Sequence, residues 1–202
     1  MKRGEAKRLA LLQATARLIT EKGIAALTTR EIAERAGSTE RTLFKQFGSK
    51  EGLLTAVLDM VATTQVARSR FADLMTDPPL TLDAFEGWHR RLIAERLESP
   101  TTRSHVGRLF LMEIIQNEGF KMRYAETWRA GIWQPLVQCL DALKAAGEIA
   151  DFADTRLLAH GFISLNLGYL LGRLQVAPQL DWDTERDAAG IAALFRRGIA
   201  PV

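Results

Sequence analysis

Polar side chains with the chemistry needed to bind a nucleic acid are concentrated in the N-terminal quarter of the chain. Hydroxyl and guanidinium groups hydrogen-bond the edges of bases, and ammonium groups neutralise phosphates. At helical spacing, five residues with polar side chains share the outer side of one short helix: Thr39, Glu40, Arg41, Thr42 and Lys45. We therefore predict a recognition helix that enters the major groove of double-stranded DNA. An ordinary helical hairpin whose polar face is only solvated is the alternative.

The element that positions this helix is indicated by the small residues before it. Two short helices that cross steeply need a small side chain at their contact and a residue that tolerates a positive φ at the bend. Ala33 and Gly37, four residues apart, meet both needs. The apolar residues that must then point inward are Ile32, Ala36, Leu43 and Phe47.

Capping residues indicate where the N-terminal helices begin and end. Thr28 and Glu31 have the spacing of a capping box, and Thr39 and Ser49 can each cap a further helix. Gly23 suits the end of the first helix. The four helices predicted here are Glu5–Lys22, Thr29–Ala36, a third that ends at Phe47, and a fourth from Lys50 to about Arg70.

The charge of the chain is unevenly distributed. The first fifty residues carry eleven Lys and Arg against five Glu, a net charge of +6, whereas the remainder carries 16 basic and 19 acidic residues, a net charge of −3. A basic first quarter joined to a mildly acidic remainder indicates that one end of the protein meets a polyanion.

Composition and cysteine usage narrow the class of protein. With 202 residues and 47% hydrophobic content, the chain can bury a substantial core. The single cysteine, Cys139, cannot form an intrachain disulfide, and three histidines show no metal-ligand spacing. We expect a cytoplasmic protein that binds no metal and no cofactor. Cys139 is interpreted as a buried small hydrophobic residue, and a redox-sensor role is the alternative.

Helical periodicity recurs along the rest of the chain, whereas strand-like alternation is scarce. We predict an all-α fold of about nine helices, with a helix-turn-helix domain over residues 1–48 and a larger helical domain over residues 49–202. The apolar stretch Leu157–Gly172 is too short to span a bilayer and is interpreted as a buried helix. The five downstream helices are predicted at Thr81–Leu97, Thr102–Asn117, Phe120–Ala146, Asp154–Val176 and Asp183–Ile199.

Aromatic residues are frequent on three consecutive helices of the larger domain. Pro135 removes one backbone hydrogen bond and should kink the longest of these helices, which can open an apolar cavity. The predicted cavity residues are Phe85, Trp88, His89, Leu92, Leu109, Phe110, Glu113, Trp128, Ile132 and Trp133. Plain core packing is the alternative for each of them.

Glu113 and His89 are the residues of this set that could carry acid–base chemistry. Glu113 is flanked by apolar residues, so it is expected either to be partly desolvated and paired with His89, Arg108 or Arg129, or to face solvent. An enzyme is therefore an alternative. Against it, the sequence has no Gly-rich phosphate loop, nucleophile elbow or HExxH motif.

Small residues recur along one side of the helix predicted from Asp154. Glycines in a helix interior cost about 1 kcal/mol each relative to Ala, so their recurrence indicates close approach by another helix. The predicted dimer interface comprises Leu157, Gly161, Ser164, Leu165, Gly168, Gly172, Ala192 and Phe195. Packing within the chain is the alternative.

The segment from Leu27 to Leu54 resembles the DNA-binding domain of TetR-family regulators. The resemblance rests on LTTREIAERAG at 27–37 and TLFKQFGSKEGLL at 42–54, and it covers roughly Lys7 to Leu58. The remainder resembles the family only in the number and order of its helices. The family implies a homodimer that binds an inverted-repeat operator and a small-molecule effector, which is apolar or amphipathic for a cavity of this composition.

Carried over by position, the resemblance assigns DNA-binding roles to individual residues. It implies phosphate contacts by Thr28, Thr29 and Arg30, and base contacts by Thr39, Glu40, Arg41 and Thr42. Lys50 is expected to hold a phosphate at the head of the fourth helix. The sequence departs from the family at Ser38, Phe44 and Gln46; Phe44 replaces a common Tyr and cannot donate a hydroxyl, so packing or a sugar contact is expected there.

Overall fold

The computed structural model describes residues 3–67, 69, 71–76, 80–98, 105–151 and 154–201, and these residues are almost entirely helical. Arg70, the predicted end of the fourth helix, and Thr102, the predicted start of another, lie outside the described residues. The helices are α1 (Arg3–Lys22), α2 (Thr29–Arg35), α3 (Glu40–Phe47), α4 (Lys50–Ala67), α5 (Phe71–Thr76), α6 (Leu82–Glu98), α7 (His105–Gln116), α8 (Glu118–Trp128), α9 (Gln134–Ala145), α10 (Thr155–Leu171) and α11 (Thr184–Ile199).

The prediction of an all-α fold is confirmed, and each predicted helix is present within a few residues of its expected bounds. The structure adds α5, which has only six residues. A helix this short does not complete two turns, so its apolar residues show no periodicity that sequence analysis can detect. Within the described part of the chain, no helix is long and apolar enough to cross a membrane.

The chain forms two compact packing units. The first comprises Met1–Gln65 and Pro100–Ala125, and the second comprises Val66–Ser99 and Glu126–Val202. These are units of packing, and the functional boundary after residue 48 stays a prediction.

The core of the first unit is built from the apolar faces of α1 to α4 together with α7 and α8. Leu11, Ile32 and Leu43 are fully buried in it, and Phe120 joins the same cluster. The ring of Phe110 packs edge-on against Phe120, at a centroid distance of 5.6 Å. Aromatic residues from α7 and α8 therefore complete the core beneath the helix-turn-helix.

The core of the second unit is an aromatic cluster between α6, α10 and α11. The rings of Phe85, Trp88, Phe162 and Phe195 lie within 5.1–6.1 Å of one another in successive pairs. The guanidinium of Arg196 bridges from α11 to Asp83 and Glu86 on α6. Apolar packing and this ion pair together hold α6 against α11.

A π-helical turn, Arg129–Trp133, connects α8 to α9 without a break. The backbone N–H of Gln134 donates to the carbonyl of Arg129, five residues earlier. Pro135 follows at once, and it lacks the N–H of a regular α-helical ladder. The irregularity predicted at Pro135 is therefore present, as a π turn on its N-terminal side.

Candidate nucleic-acid interface and small-molecule sites

The turn between α2 and α3 has the geometry that the sequence indicates. Thr28 caps α2 by accepting from the N–H of Glu31 at 3.3 Å, and Thr39 caps α3 by accepting from the N–H of Thr42 at 3.2 Å. Gly37 has a φ of 59°, in the left-handed region. The capping box is half formed, because the Glu31 carboxylate pairs with Lys22 instead of returning to Thr28.

The residues predicted to point inward and outward are placed as expected. Ile32 and Leu43 are fully buried, and Ala36 and Phe47 pack against the same core. The residues on the outer side of α3 are exposed or, for Thr42, half-buried: Thr39, Glu40, Arg41, Thr42 and Lys45. Phe44 lies on this side as well and is 45% exposed. The structure therefore presents a polar face with one aromatic ring in it.

Arg41 and Lys45 are the groups on this face that are ready to bind a ligand. Within the described residues, neither side chain makes a hydrogen bond or an ion pair. By contrast, Glu40 accepts a hydrogen bond from Thr29, which links the first turns of α2 and α3. Arg30 is exposed and pairs with Glu34 one turn along α2 at 2.9 Å. An exposed pair of this kind is weak, so Arg30 can exchange Glu34 for a phosphate.

Lys50 has a structural partner that sequence analysis did not foresee. Its ammonium nitrogen donates to the carbonyl oxygen of Leu27 at 2.6 Å. Leu27 immediately precedes Thr28, the cap of α2, so this bond ties the head of α4 to the start of α2. Two ammonium hydrogens remain for a phosphate beside Thr28 and Thr29. Ser49 caps α4 as predicted, because its Oγ accepts from the N–H of Gly52 at 3.0 Å.

Arg8 is a second residue that sequence analysis missed. Its guanidinium lies 4.5 Å from the centroid of the Phe47 ring and donates to the carbonyl of Gln46 at 3.4 Å. It therefore supports the last turn of α3. Arg8 and Gln46 are 38 residues apart in the sequence, so no local pattern of residues predicts their contact.

The Oγ of Ser38 is buried without a hydrogen-bond partner among the described residues, at a position where the family commonly has an apolar side chain.

The residues predicted to line an effector cavity do not form one set. Leu109 and Phe110 pack in the core of the first unit. Glu113 is half-exposed there and accepts from the amide of Asn117 at 2.9 Å, so it is not desolvated. In the second unit, Phe85 and Trp88 are packed core, and the remaining residues pack on that core or beside it: Leu92, Trp128, Ile132 and Trp133. Trp88 donates its indole N–H to the Ser69 carbonyl at 2.9 Å.

His89 is fully buried in the aromatic cluster of the second unit. Its Nε2 lies 2.9 Å from Oδ1 of Asn166, whose amide in turn donates to the Phe162 carbonyl at 2.7 Å. The imidazole therefore donates through Nε2, and Nδ1 is left as a buried acceptor with no partner among the described residues. Burial lowers the pKa of His89 to about 4, so the ring is neutral at pH 7.

An open groove of about 620 Å³ lies on the second unit between the π turn, α9 and α10. Its lining residues are Arg129, Trp133, Gln134, Val137, Gln138, Arg156 and His160. The Trp133 ring stacks on Trp128 at 5.7 Å and contacts the His160 ring at 4.5 Å. Of the predicted cavity residues, Trp133 lines this groove and Trp128 stacks behind it.

Cys139 is completely buried in the core of the second unit, as predicted. Burial raises the pKa of its thiol to about 12, so the thiolate is scarce at neutral pH. The position argues against a redox-sensor role.

The predicted dimer interface divides into an exposed part and a buried part. Leu157 is 66% exposed, and Gly161, Ser164 and Gly168 share its open side of α10. Leu165 and Gly172 are half-buried. The prediction that Leu157–Gly172 is a buried helix is therefore wrong for this side of α10, because none of the described residues of the second unit covers it.

Ala192 and Phe195 are corrections to the predicted interface. They are 1% and 9% exposed, and Phe195 packs on Phe162 at a centroid distance of 5.1 Å. These side chains belong to the chain's own core because α11 turns this face toward α6. The exposed face of α11 instead carries Gly190, Leu194 and Gly198, and Leu194 is 61% exposed.

An N-terminal helix-turn-helix with an exposed polar recognition helix, followed by further helices, defines a helix-turn-helix DNA-binding regulator. The family described as "Bacterial regulatory proteins, tetR family" matches residues 11–57. The HTH-type transcriptional regulator YvkB of Bacillus subtilis (strain 168), itself uncharacterised, is 26% identical over 94% of this chain and 95% of its own. Residues 11–57 therefore match the DNA-binding domain of the TetR family, and the comparisons together support a TetR-family transcriptional regulator that binds DNA.

Solved structures share the fold over nearly the whole chain. A putative TetR-family regulator from Mesorhizobium loti superposes with a TM-score of 0.81 and 20% identity over all of both chains. SmeT, the repressor of the Stenotrophomonas maltophilia multidrug efflux pump SmeDEF, superposes with a TM-score of 0.71 and 18% identity, covering 96% of this chain and 90% of SmeT.

Proposed function

We propose that this protein is a repressor that binds an inverted-repeat operator as a homodimer and leaves it when a small apolar or amphipathic effector binds. The observation that carries the proposal is the outer face of α3, where Arg41 and Lys45 are exposed without partners. The structural likeness to SmeT, which is a repressor, favours repression over activation. The protein acts where chromosomal DNA lies, in the cytoplasm.

Base contacts come from the exposed first turns of α3, and phosphate contacts come from the start of α2 and from Lys50. One recognition helix covers too few base pairs to specify a genomic site, which is why a two-fold dimer and two half-sites are needed. Selection of genomic fragments by the purified protein, followed by footprinting, tests the proposal. Recovery of fragments that share no inverted repeat would contradict it.

Substitution Arg41→Ala should relax the sequence preference at particular base pairs of each half-site. A bidentate contact from a guanidinium to a guanine discriminates by about 1 to 3 kcal/mol, or roughly 5- to 150-fold. Binding titrations on the operator and on single-base variants measure this loss. Arg91→Ala, an exposed arginine on α6, is the matched control and should keep the full preference. An equal loss on every sequence would make Arg41 a phosphate contact.

Substitution Lys50→Ala should weaken binding to all DNA sequences alike. Each neutralised phosphate releases condensed counterions, so losing one contact should lower the slope of log K against log salt by about 1. Lys144→Ala on α9 is the control and should keep the slope. Lys50 also donates a hydrogen bond to the Leu27 carbonyl, so its substitution removes a contact that supports α2 as well as the proposed phosphate contact. Thermal unfolding of both variants shows whether the fold is destabilised. An unchanged slope in folded Lys50→Ala removes this residue from the phosphate set.

Effector binding is assigned to the second unit, where the aromatic cluster holds a buried acceptor. The free Nδ1 of His89 suits an apolar molecule that carries one hydroxyl or N–H donor. An unpaired buried acceptor costs about 1 to 3 kcal/mol, which a donating ligand recovers. Since effector and operator share one equilibrium, each weakens the other by the same factor. Equal effector affinities of free and operator-bound protein would contradict this proposal.

The homodimer interface is assigned to the exposed sides of α10 and α11. A Cβ atom added at Gly161, Gly168, Gly190 or Gly198 meets nothing within 4 Å, so packing among the described residues does not require these glycines. Exposed Leu157 and Leu194 add apolar surface to the same helices. Small and apolar residues in this arrangement let two helices of a partner approach closely and form a four-helix interface.

A further inference from the structure

The π turn Arg129–Trp133 is contacted at its centre and followed closely by a proline. A Cβ atom on Gly131 would lie 2.1 Å from Cγ1 of Val66, so a glycine here lets the Val66 side chain pack directly against the backbone of the turn. Pro135 blocks a regular α-helical ladder on the other side. Arg129 and Trp133, the first and last residues of the turn, both line the groove. Single π turns inside helices are frequent at functional sites.

The groove combines positive charge with an aromatic surface. Its lining residues are two arginines, two glutamines, a tryptophan, a valine and a histidine, with no carboxylate among them. Trp133 is half-exposed, and its ring contacts the rings of Trp128 and His160. The volume of the groove, about 620 Å³, falls in the range of about 300 to 1,000 Å³ that small-molecule sites occupy.

The two arginines differ in what they can still bind. Arg129 donates through Nε and Nη2 to the Glu126 carboxylate, at 3.3 and 2.6 Å, which fixes the guanidinium and leaves Nη1 free of this pair. Arg156 is exposed, and its guanidinium has no partner within the described residues. The Glu126 carboxylate offsets the charge of Arg129, so Arg129, Glu126 and Arg156 together carry a net charge of +1. The groove is thus complementary to a single negative charge.

We propose that this groove binds a small aromatic monoanion, with its ring against Trp133 and its carboxylate between Arg156 and Arg129. Two glutamine amides on α9, from Gln134 and Gln138, can donate to the same carboxylate or to a ring substituent. The site is separate from the buried His89. Binding to the groove does not require the proposed function, whereas a regulatory effect of that binding would rest on it.

The test uses 2-naphthoate as the probe and 2-naphthalenemethanol as its neutral counterpart, titrated calorimetrically into the full-length protein. We expect the carboxylate to bind at least about tenfold more tightly than the alcohol, because hydrogen bonds to a charged group are the stronger kind. Arg156→Gln and Gln138→Glu should each remove this advantage. Arg90→Gln, at an exposed arginine on α6, should preserve it. Both altered groove residues are exposed, so the variants should fold.

Equal binding of the two probes, or an advantage that survives in both groove variants, would overturn the proposal. Naphthoate binding only to a dissociated form of the protein would also overturn it, because a second copy of the chain would then cover the groove. The same titration in the presence of operator DNA distinguishes binding to the groove from the proposed regulatory function. Binding that leaves the operator affinity unchanged supports the groove as a site that is independent of operator release.

Discussion

Gly168→Trp should convert the protein from a dimer to a monomer and lower its affinity for an inverted-repeat operator by about 10² to 10⁴-fold. The indole would stand on the exposed side of α10, where the partner helices are proposed to pack, and would hold them apart. Each monomer would then bind one half-site without the gain that comes from linking two sites. Sedimentation at fixed protein concentration and operator titration measure the two effects.

The variant should keep its own fold, which makes the result interpretable. A Cβ atom at Gly168 meets nothing within 4 Å, and Trp has a better intrinsic helix propensity than Gly. Gly87→Trp on α6 is the matched control, since that glycine meets only the end of the Arg91 side chain and lies outside the proposed interface. A monomeric wild-type protein, or a Gly168→Trp variant that stays dimeric with full operator affinity, would show that the interface lies elsewhere.

Acidification from pH 6.5 to pH 4 should cost about 3 kcal/mol of folding free energy through His89 alone. Burial lowers the pKa of this imidazole from 6.5 to about 4 in the folded protein. Between these values the unfolded chain binds a proton and the folded chain does not, so stability falls as pH falls through this window. Above about pH 7.5 both states are neutral at this residue and the contribution is constant.

The measurement is the free energy of unfolding by urea at a series of pH values, for the wild type and for His89→Leu. The carboxylates titrate in both proteins, so the difference between the two pH profiles isolates His89. Parallel profiles for the wild type and His89→Leu would show that the buried imidazole is already solvated or protonated. Protein concentration must be held constant, since a dimer's stability depends on it.

The N-terminal fold and its polar face could be predicted almost completely from the sequence. The caps at Thr28, Thr39 and Ser49 and the positive φ at Gly37 are local features, each set by residues within one helical turn. The orientation of α3 followed from them, because a short helix with one apolar side has one way to pack. The same locality explains the good agreement of helix positions throughout the chain.

The sites of the second unit could be predicted only in part. Aromatic residues at helical spacing identified a region rich in rings, but spacing does not tell which ring fills the core and which lines a groove. Phe85 and Trp88 proved to be packed, whereas Trp133 lines an open groove beside Arg156, a residue that the sequence did not single out. The irregularity at Pro135 was foreseen as a kink, whereas the structure has a π turn before it, in which Gly131 lies against Val66.

The amino-acid sequence by itself determined the helices, their caps, the exposed polar face of α3 and the basic charge that accompanies it, since these depend on neighbours within a few residues. Tertiary structure alone decided that Lys50 bonds Leu27, that Arg8 supports Phe47, and that Phe195 faces the chain's own core. These contacts join residues 23 or more positions apart. Their partners are selected by the packing of whole helices, which no local pattern of side chains records.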